Sequence, residues 1–323
     1  MSDAHAAQSV EQSAPGAVRA DVSWEDGGTV LCFMNEVAGG RRLLEAVRAR
    51  IDAGAERVAV VSPQNQPAVG QIVDRDEVRD AARSRVEVTE AVLEEFGIDA
   101  VGAVLDPLPS LALDDGARAF APKEVLLSCL AETRFGLTRR DLVTWAEQNL
   151  DVPVTHIPVR VDDDAVRWDV IHTLVVATQT VAAPDLVARL KQRAAERPHR
   201  YTFISPASGE VSREDVCDDL AKTLAELYRS GIDATGQPMS PEAEAAIRNA
   251  IEHYRVDEIL IATLAGQESK WLAEGLVEKT EQFSGKPVEH FEVGSGSAGS
   301  GGAQSVEKGE PVGATTRSDG GEA

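Results

Sequence analysis

The chain contains itself twice. Residues 97–159 and 231–293 align without a gap, and about 19 of the 63 positions are identical, among them the opening Gly-Ile-Asp-Ala and the closing Pro-Val-x-His. The match continues upstream with gaps: 30–35 (VLCFMN) pairs with 173–178 (TLVVAT), 43–50 with 186–193, and 56–63 (ERVAVVSP) with 199–206 (HRYTFISP). The first copy carries a longer insertion over 64–74. Whatever unit this is, the chain builds it twice, and the 323 residues are enough for two cores of ordinary size.

Each copy alternates short apolar or β-branched runs with segments of helical period, the pattern of a parallel sheet joined by crossover helices. In copy two the strands are expected at 171–177, 201–204, 234–237, 258–263 and 288–293. Leu186, Leu190 and Ala194 mark one helix, Val216, Leu220 and Leu227 a second, Ala246, Ile247, Ala250 and Tyr254 a third, and Leu272, Leu276, Thr280 and Phe283 a fourth. Ser240-Pro241-Glu242 reads as the start of the third helix, with Ser240 as N-cap, and Asp106-Pro107 holds that place in copy one. The expected fold is α/β: two tandem Rossmann-like domains, each a five-stranded parallel sheet flanked by helices. The expected boundaries are 25–165 and 166–293, with tails at 1–24 and 294–323. The last segment is Gly/Ser-rich and almost devoid of large apolar side chains, so it cannot offset its ordering entropy.

Composition excludes several classes. With 32 Lys and Arg against 54 Asp and Glu, the net charge of −22 repels nucleic-acid backbones and anionic membrane surfaces. Cys32, Cys129 and Cys217 are too scattered for a disulfide framework or a CxxC metal site. The N-terminal stretch lacks the basic and apolar regions of a signal peptide, and no apolar run approaches the roughly 20 residues of a membrane span. A cytoplasmic protein is expected.

Five parallel strands in this order, with a helix after the fourth, resemble the universal stress protein family, one branch of the adenine nucleotide alpha hydrolase-like fold class. The segment Asn35-Glu36-Val37-Ala38-Gly39-Gly40-Arg41-Arg42 after the first strand, with the ending TLAGQESKWLAEGLVEKTEQFSGKPVEHFEV, is particularly similar to the stress-protein-like domain appended to some actinobacterial amino-acid permeases. The resemblance implies an adenine nucleotide such as ATP as ligand, held by bare backbone N–H groups in a G-x-x-G…G-S/T loop after strand four; no metal is expected. Copy two offers Thr263, Gly266, Ser269 and Lys270, then Gly275 followed by Leu276, with one glycine of the first pair missing; copy one has no glycine at the places of Gly266 and Gly275. The family's adenine-binding Asp is replaced by Asn35 in copy one and by Thr178 or Gln179 in copy two. The expected cofactor-binding set is therefore Thr178, Ser205, Thr263, Gly266, Ser269, Lys270 and Gly275, all in copy two.

Other constellations have plainer readings. Gly294-Ser295-Gly296-Ser297-Ala298-Gly299 fits G-x-G-x-x-G but leads into a Ser/Gly tail in place of a helix. Gly39-Gly40 suits a tight turn as well as a ligand approach to a helix start. Cys32 and Cys129 read as small core residues. His156 and His290 hold one repeat position but lack further metal ligands, Asp162–Asp164 reads as a solvated linker, and Trp145 and Trp271 as core or interface aromatics. No Walker A, HxGH or SGGxDS signature is present, and no catalytic residues are expected. The leading expectation is a non-catalytic tandem regulator whose domains pack as an intramolecular pseudo-dimer through their fifth strands, 154–159 against 288–293, with a homodimer and a regulatory protein partner as further assemblies. The alternatives are a ligand-free protein–protein interaction module and a weak nucleotide hydrolase.

Overall fold

The computed structural model describes residues 18–19, 21–35, 38–64, 75–129, 134–135, 140–158, 170–206, 212–239, 242–265 and 270–294. Domain 1 runs β1 (Thr29–Met34), α1 (Arg41–Ala53), β2 (Arg57–Pro63), α2 (Arg75–Glu94), β3 (Ala100–Leu105), α3 (Pro109–Phe120) and β4 (Glu124–Cys129). A short antiparallel pair, β5 (Arg134–Phe135) and β6 (Arg140–Asp141), precedes α4 (Leu142–Asn149) and β7 (Val154–Pro158). Domain 2 runs β8 (Ile171–Val176), α5 (Pro184–Glu196), β9 (His199–Pro206), α6 (Arg213–Arg229), β10 (Asp233–Met239), α7 (Ala243–Tyr254), β11 (Glu258–Leu264), α8 (Lys270–Ala273), α9 (Leu276–Ser284) and β12 (Val288–Val293). The sheet orders are β3-β2-β1-β4-β7 and β10-β9-β8-β11-β12, every pairing in them parallel. The chain is thus two doubly wound α/β domains of one topology.

Both faces of each sheet are covered, which is why the central strands read as continuous apolar runs. On β1 the side chains alternate: Val30, Cys32 and Met34 pack with Leu43, Leu44 and Val47 of α1, while Leu31 and Phe33 pack with Leu113 of α3 and Leu142 and Ala146 of α4. In domain 2, Val175 meets Leu186 and Leu190 of α5, and Leu174 and Val176 meet Ala246, Ile247 and Ala250 of α7.

Three local expectations need correction. The third helix of domain 2 starts at Ala243 with Glu242 at the cap and no side-chain capping bond, and Ser240-Pro241 lies outside the described residues. Its counterpart α3 begins at Pro109, because Asp106 folds back to accept the Leu108 N–H at 2.8 Å and the proline next along presets the first turn. The fourth helix of domain 2 is two helices, interrupted where Gly275 adopts φ +67°, a left-handed conformation that ends α8 and opens α9. In addition Trp24, expected in the N-terminal tail, is buried beneath domain 1, with its carbonyl taking the Gly27 N–H at 3.0 Å.

The repeat includes an ion pair. Arg50 of α1 clasps Glu124 of β4 through two hydrogen bonds, 2.6 and 3.1 Å, with both side chains 0% exposed. Arg193 and Glu258 form the equivalent pair in domain 2, where Glu289 of β12 joins and the site is more open. A threonine donates to each carboxylate, Thr155 to Glu124 and Thr173 to Glu258, both at 2.6 Å.

The domains do not meet through their fifth strands. β7 pairs only with β4 and β12 only with β11 among the described residues, and both outer edges carry features that oppose pairing: Pro158 has no N–H to give, and Glu289 and Glu292 line β12. The seam lies instead between α2 and α6, which run side by side in the same direction. Arg213 at the start of α6 reaches Asp80 and, farther along α2, Glu87, and near the ends of both helices Arg229 reaches Glu95. The start of β10 also docks on the loop after β1: Thr235 Oγ1 donates to Ala38 O at 3.0 Å, Tyr228 Oη approaches Gly39 O at 3.4 Å, and Arg41 Nε donates to Asp233 at 2.8 Å. The amino edge of sheet 2 therefore sits over the carboxyl edge of sheet 1, a head-to-tail contact between different surfaces of the two copies. One apolar cluster runs through it, from Val86 and Val92 on α2 to Cys217, Leu220 and Leu224 on α6.

Candidate functional site

In an open α/β sheet a ligand is received beyond the carboxyl ends of the strands, where the strand order reverses. Here that place is between β1 and β4 in domain 1, and between β8 and β11 in domain 2. The two edges have diverged.

In domain 1, Ser62 at the end of β2 donates to Met34 O at 2.9 Å and accepts from Arg85 Nε at 3.0 Å, and a second Arg85 nitrogen holds Pro63 O at 3.0 Å. Arg85, on α2, is 0% exposed. Its guanidinium occupies the strand ends, and domain 2 roofs the neighbouring loop. Thr89, one turn along, accepts the Gly39 N–H at 3.0 Å and so fixes the approach to α1.

Domain 2 lacks this plug, since Asp219 stands where the repeat has Arg85. Thr178 takes over one of its roles by donating to Pro206 O at 2.9 Å. Thr180 spans the reversal point, donating to Ala262 O at 3.0 Å, and Thr223 on α6 donates to Val181 O at 2.8 Å. Thr263, on β11, lies 2.8 Å from His290 Nε2 on β12. Ser205, the counterpart of Ser62, is 0% exposed and its hydroxyl has no hydrogen-bond partner among the described residues.

The structure thus brings Thr178, Ser205 and Thr263 to one edge of one sheet, all buried. Gly266 and Ser269 lie outside the described residues, as does the side chain of Lys270, whose backbone opens α8. Gly275 acts as the break between two helices, its N–H bonded to Leu272 O at 3.0 Å. Residue types alone pointed to the edge threonines but not to Arg85, Thr180 or Thr223. Arg85 was in principle readable from the repeat alone, where the other copy has Asp219 in its place, half-exposed and paired with Lys222.

The remaining candidates take structural places. Cys32 and Cys129 are buried on neighbouring strands without facing each other in register, and burial pushes the Cys32 thiol up to about 12. His156 lies 3.3 Å from Cys129 O, and no cluster of three or more His, Cys, Asp or Glu that could hold a metal occurs among the described residues. Asp162–Asp164 lies outside them. No described helix is long and apolar enough to cross a membrane.

Neither a protein-family model nor a curated protein matches the sequence. Among solved structures, a universal stress protein from Archaeoglobus fulgidus DSM 4304 is similar at a TM-score of 0.31 and 16% identity, over 82% of this chain and 97% of that one. A superposition that loose decides nothing. The fold stands on the strand order and register above.

Proposed function

We propose that the chain is a non-catalytic, two-domain regulator of the universal stress protein type, in which domain 1 is the scaffold and the carboxyl edge of domain 2 senses an adenine nucleotide. One observation carries the reading. Ser62 in the first copy bonds to Arg85 and Met34 O, whereas the hydroxyl of its buried counterpart Ser205 has no partner among the described residues. Buried polar groups without partners are uncommon in native proteins, and an incoming hydroxyl or amine of a ligand is one way to complete such a group. The proposal includes a cytoplasmic protein that works through a regulatory partner and, as a further assembly, a homodimer.

Thermal unfolding with and without millimolar ATP, ADP, AMP and cyclic dinucleotides tests it, with Ser205→Ala as the variant. That change removes a hydroxyl with no partner among the described residues, so the ligand-free protein is expected to keep its melting temperature. The expected result is a nucleotide-specific rise in Tm, about 2.7 kcal/mol of stabilisation at a hundredfold excess over Kd, reduced in the variant. No shift with any nucleotide overturns the sensor. It would favour the second reading, a protein–protein docking module, which draws support from Thr178 and Thr263 already using their hydroxyls within the protein.

A further inference from the structure

We propose that the seam between the domains is a binding site for a small organic anion, an oxyanion group carried on a short apolar body. The inference does not depend on the reading of domain 2's carboxyl edge. Where the start of β9 and β10 meets the loop before α1, the seam is not closed: a cavity of about 70 Å³ remains. A single water needs roughly 10–15 Å³ on such a measure, so the space takes several waters or one small molecule.

Its walls come from both domains and differ in chemistry. Leu43 and Ile157 of domain 1 and Tyr201 of domain 2 supply an apolar side. Arg41, Arg42 and Arg200 supply charge, against the one carboxylate of Asp233. In a chain where acids outnumber Lys and Arg by 54 to 32, a lining with three arginines to one acid runs against the composition. Asp233 is also already engaged by Arg41, which Glu45 holds from the other side at 2.6 Å. Arg42 is half-buried and forms no hydrogen bond or ion pair among the described residues.

The backbone adds to this. α1 begins here behind Gly40, whose extended cap gives no side-chain bond, and the first turn holds no acid. The start of that 13-residue helix, with no side-chain cap among the described residues, lines the cavity together with Arg42 and brings the positive end of its dipole to it. Gly40 packs against β10 across the seam: a Cβ there would come within 3.5 Å of Ala234 O. An oxyanion satisfies the helix start and Arg42 together, and its apolar body lies against Leu43, Ile157 and Tyr201. Because the walls belong to different domains, the anion holds the seam closed.

Calorimetric titration of the full chain with benzoate, phenyl phosphate and neutral benzyl alcohol tests this, on wild type, Arg42→Gln and Ser205→Ala. The expected result is saturable binding of at least one anion and none of the alcohol, weakened about tenfold by Arg42→Gln, as for loss of one charge-assisted hydrogen bond, and unchanged by Ser205→Ala. Absence of saturable anion binding up to millimolar concentration overturns the proposal, as does binding indifferent to Arg42→Gln or matched by benzyl alcohol. Anion binding weakened only by Ser205→Ala also overturns it, and assigns the anion to domain 2's carboxyl edge.

Discussion

Replacing Glu124 by Leu leaves Arg50 charged and 0% exposed without its two carboxylate hydrogen bonds, while its bond to Ala46 O at 3.3 Å stays. Breaking a buried ion pair from one side costs about 3–5 kcal/mol, a large part of the 5–15 kcal/mol by which a domain is stable. The Thr155 hydroxyl loses its acceptor as well. Replacing both partners, Arg50→Met with Glu124→Leu, removes the stranded charge, and we expect that double variant to recover most of the loss. The second copy provides an internal control. Arg193 and Glu258 are 13% and 20% exposed, and Arg193 keeps Glu289 when Glu258 is removed, so Glu258→Leu should cost clearly less than Glu124→Leu. Urea unfolding followed by tryptophan fluorescence separates the cases in a Trp168→Phe background, with Trp24 and Trp145 reporting on domain 1 and Trp271 on domain 2. A Glu124→Leu variant no less stable than Glu258→Leu, or a double variant as unstable as either single, would refute the reasoning.

Tyr228→Phe should cost about 1–2 kcal/mol, because it removes the donor to Ala234 O at 2.8 Å and strips a polar tie from the seam; chemical denaturation measures it. Burial, opposed by the Gly102 N–H and reinforced by the Glu87 charge, holds the Glu90 carboxyl above the ordinary 4.5. The folded state then binds more proton than the unfolded one between 4.5 and that raised value, so this group's contribution is present below pH 4.5 and is lost as pH rises through the raised value. Glu90→Gln should accordingly melt above wild type at pH 7 and with it at pH 4. The Cys217 thiol is buried at the seam, pushed up to about 12 by desolvation and by Glu87. Maleimide at pH 7.5 should therefore label it only as the domains open, and Arg229→Ala, which frees Glu95, should speed that labelling; equal rates in both proteins would count against the seam described here.

Much of this was legible from the residues, and for a definable reason. The duplicated segment, the alternation of apolar runs with helical stripes and the five strands of each copy are local or internal patterns, set by a period of two or 3.6 and by covering both faces of a sheet. Even the ion pair was open to reading, because Arg50 and Arg193, and Glu124 and Glu258, hold matching places in the alignment. The helix starts at Pro109 and Ala243 were read two residues early, since proline supports more than one turn geometry and only the folded chain selects among them.

The rest depends on where distant elements come to lie. Nothing local distinguishes a seam through β7 and β12 from one through α2 and α6; the choice follows from which apolar surfaces fit once both sheets are built, and from the blunted edges of the fifth strands. Nor does a pattern of residue types tell that Arg85 fills one sheet edge while the buried hydroxyl of Ser205, at the other, has no partner among the described residues. Two copies of a doubly wound α/β unit follow from the order of residues, because strand and helix periods are written residue by residue. Only tertiary structure decided their head-to-tail stacking, the cavity between them and the unequal fate of the two edges, because a side chain's partner across more than a hundred residues is set by packing in space and not by spacing along the chain.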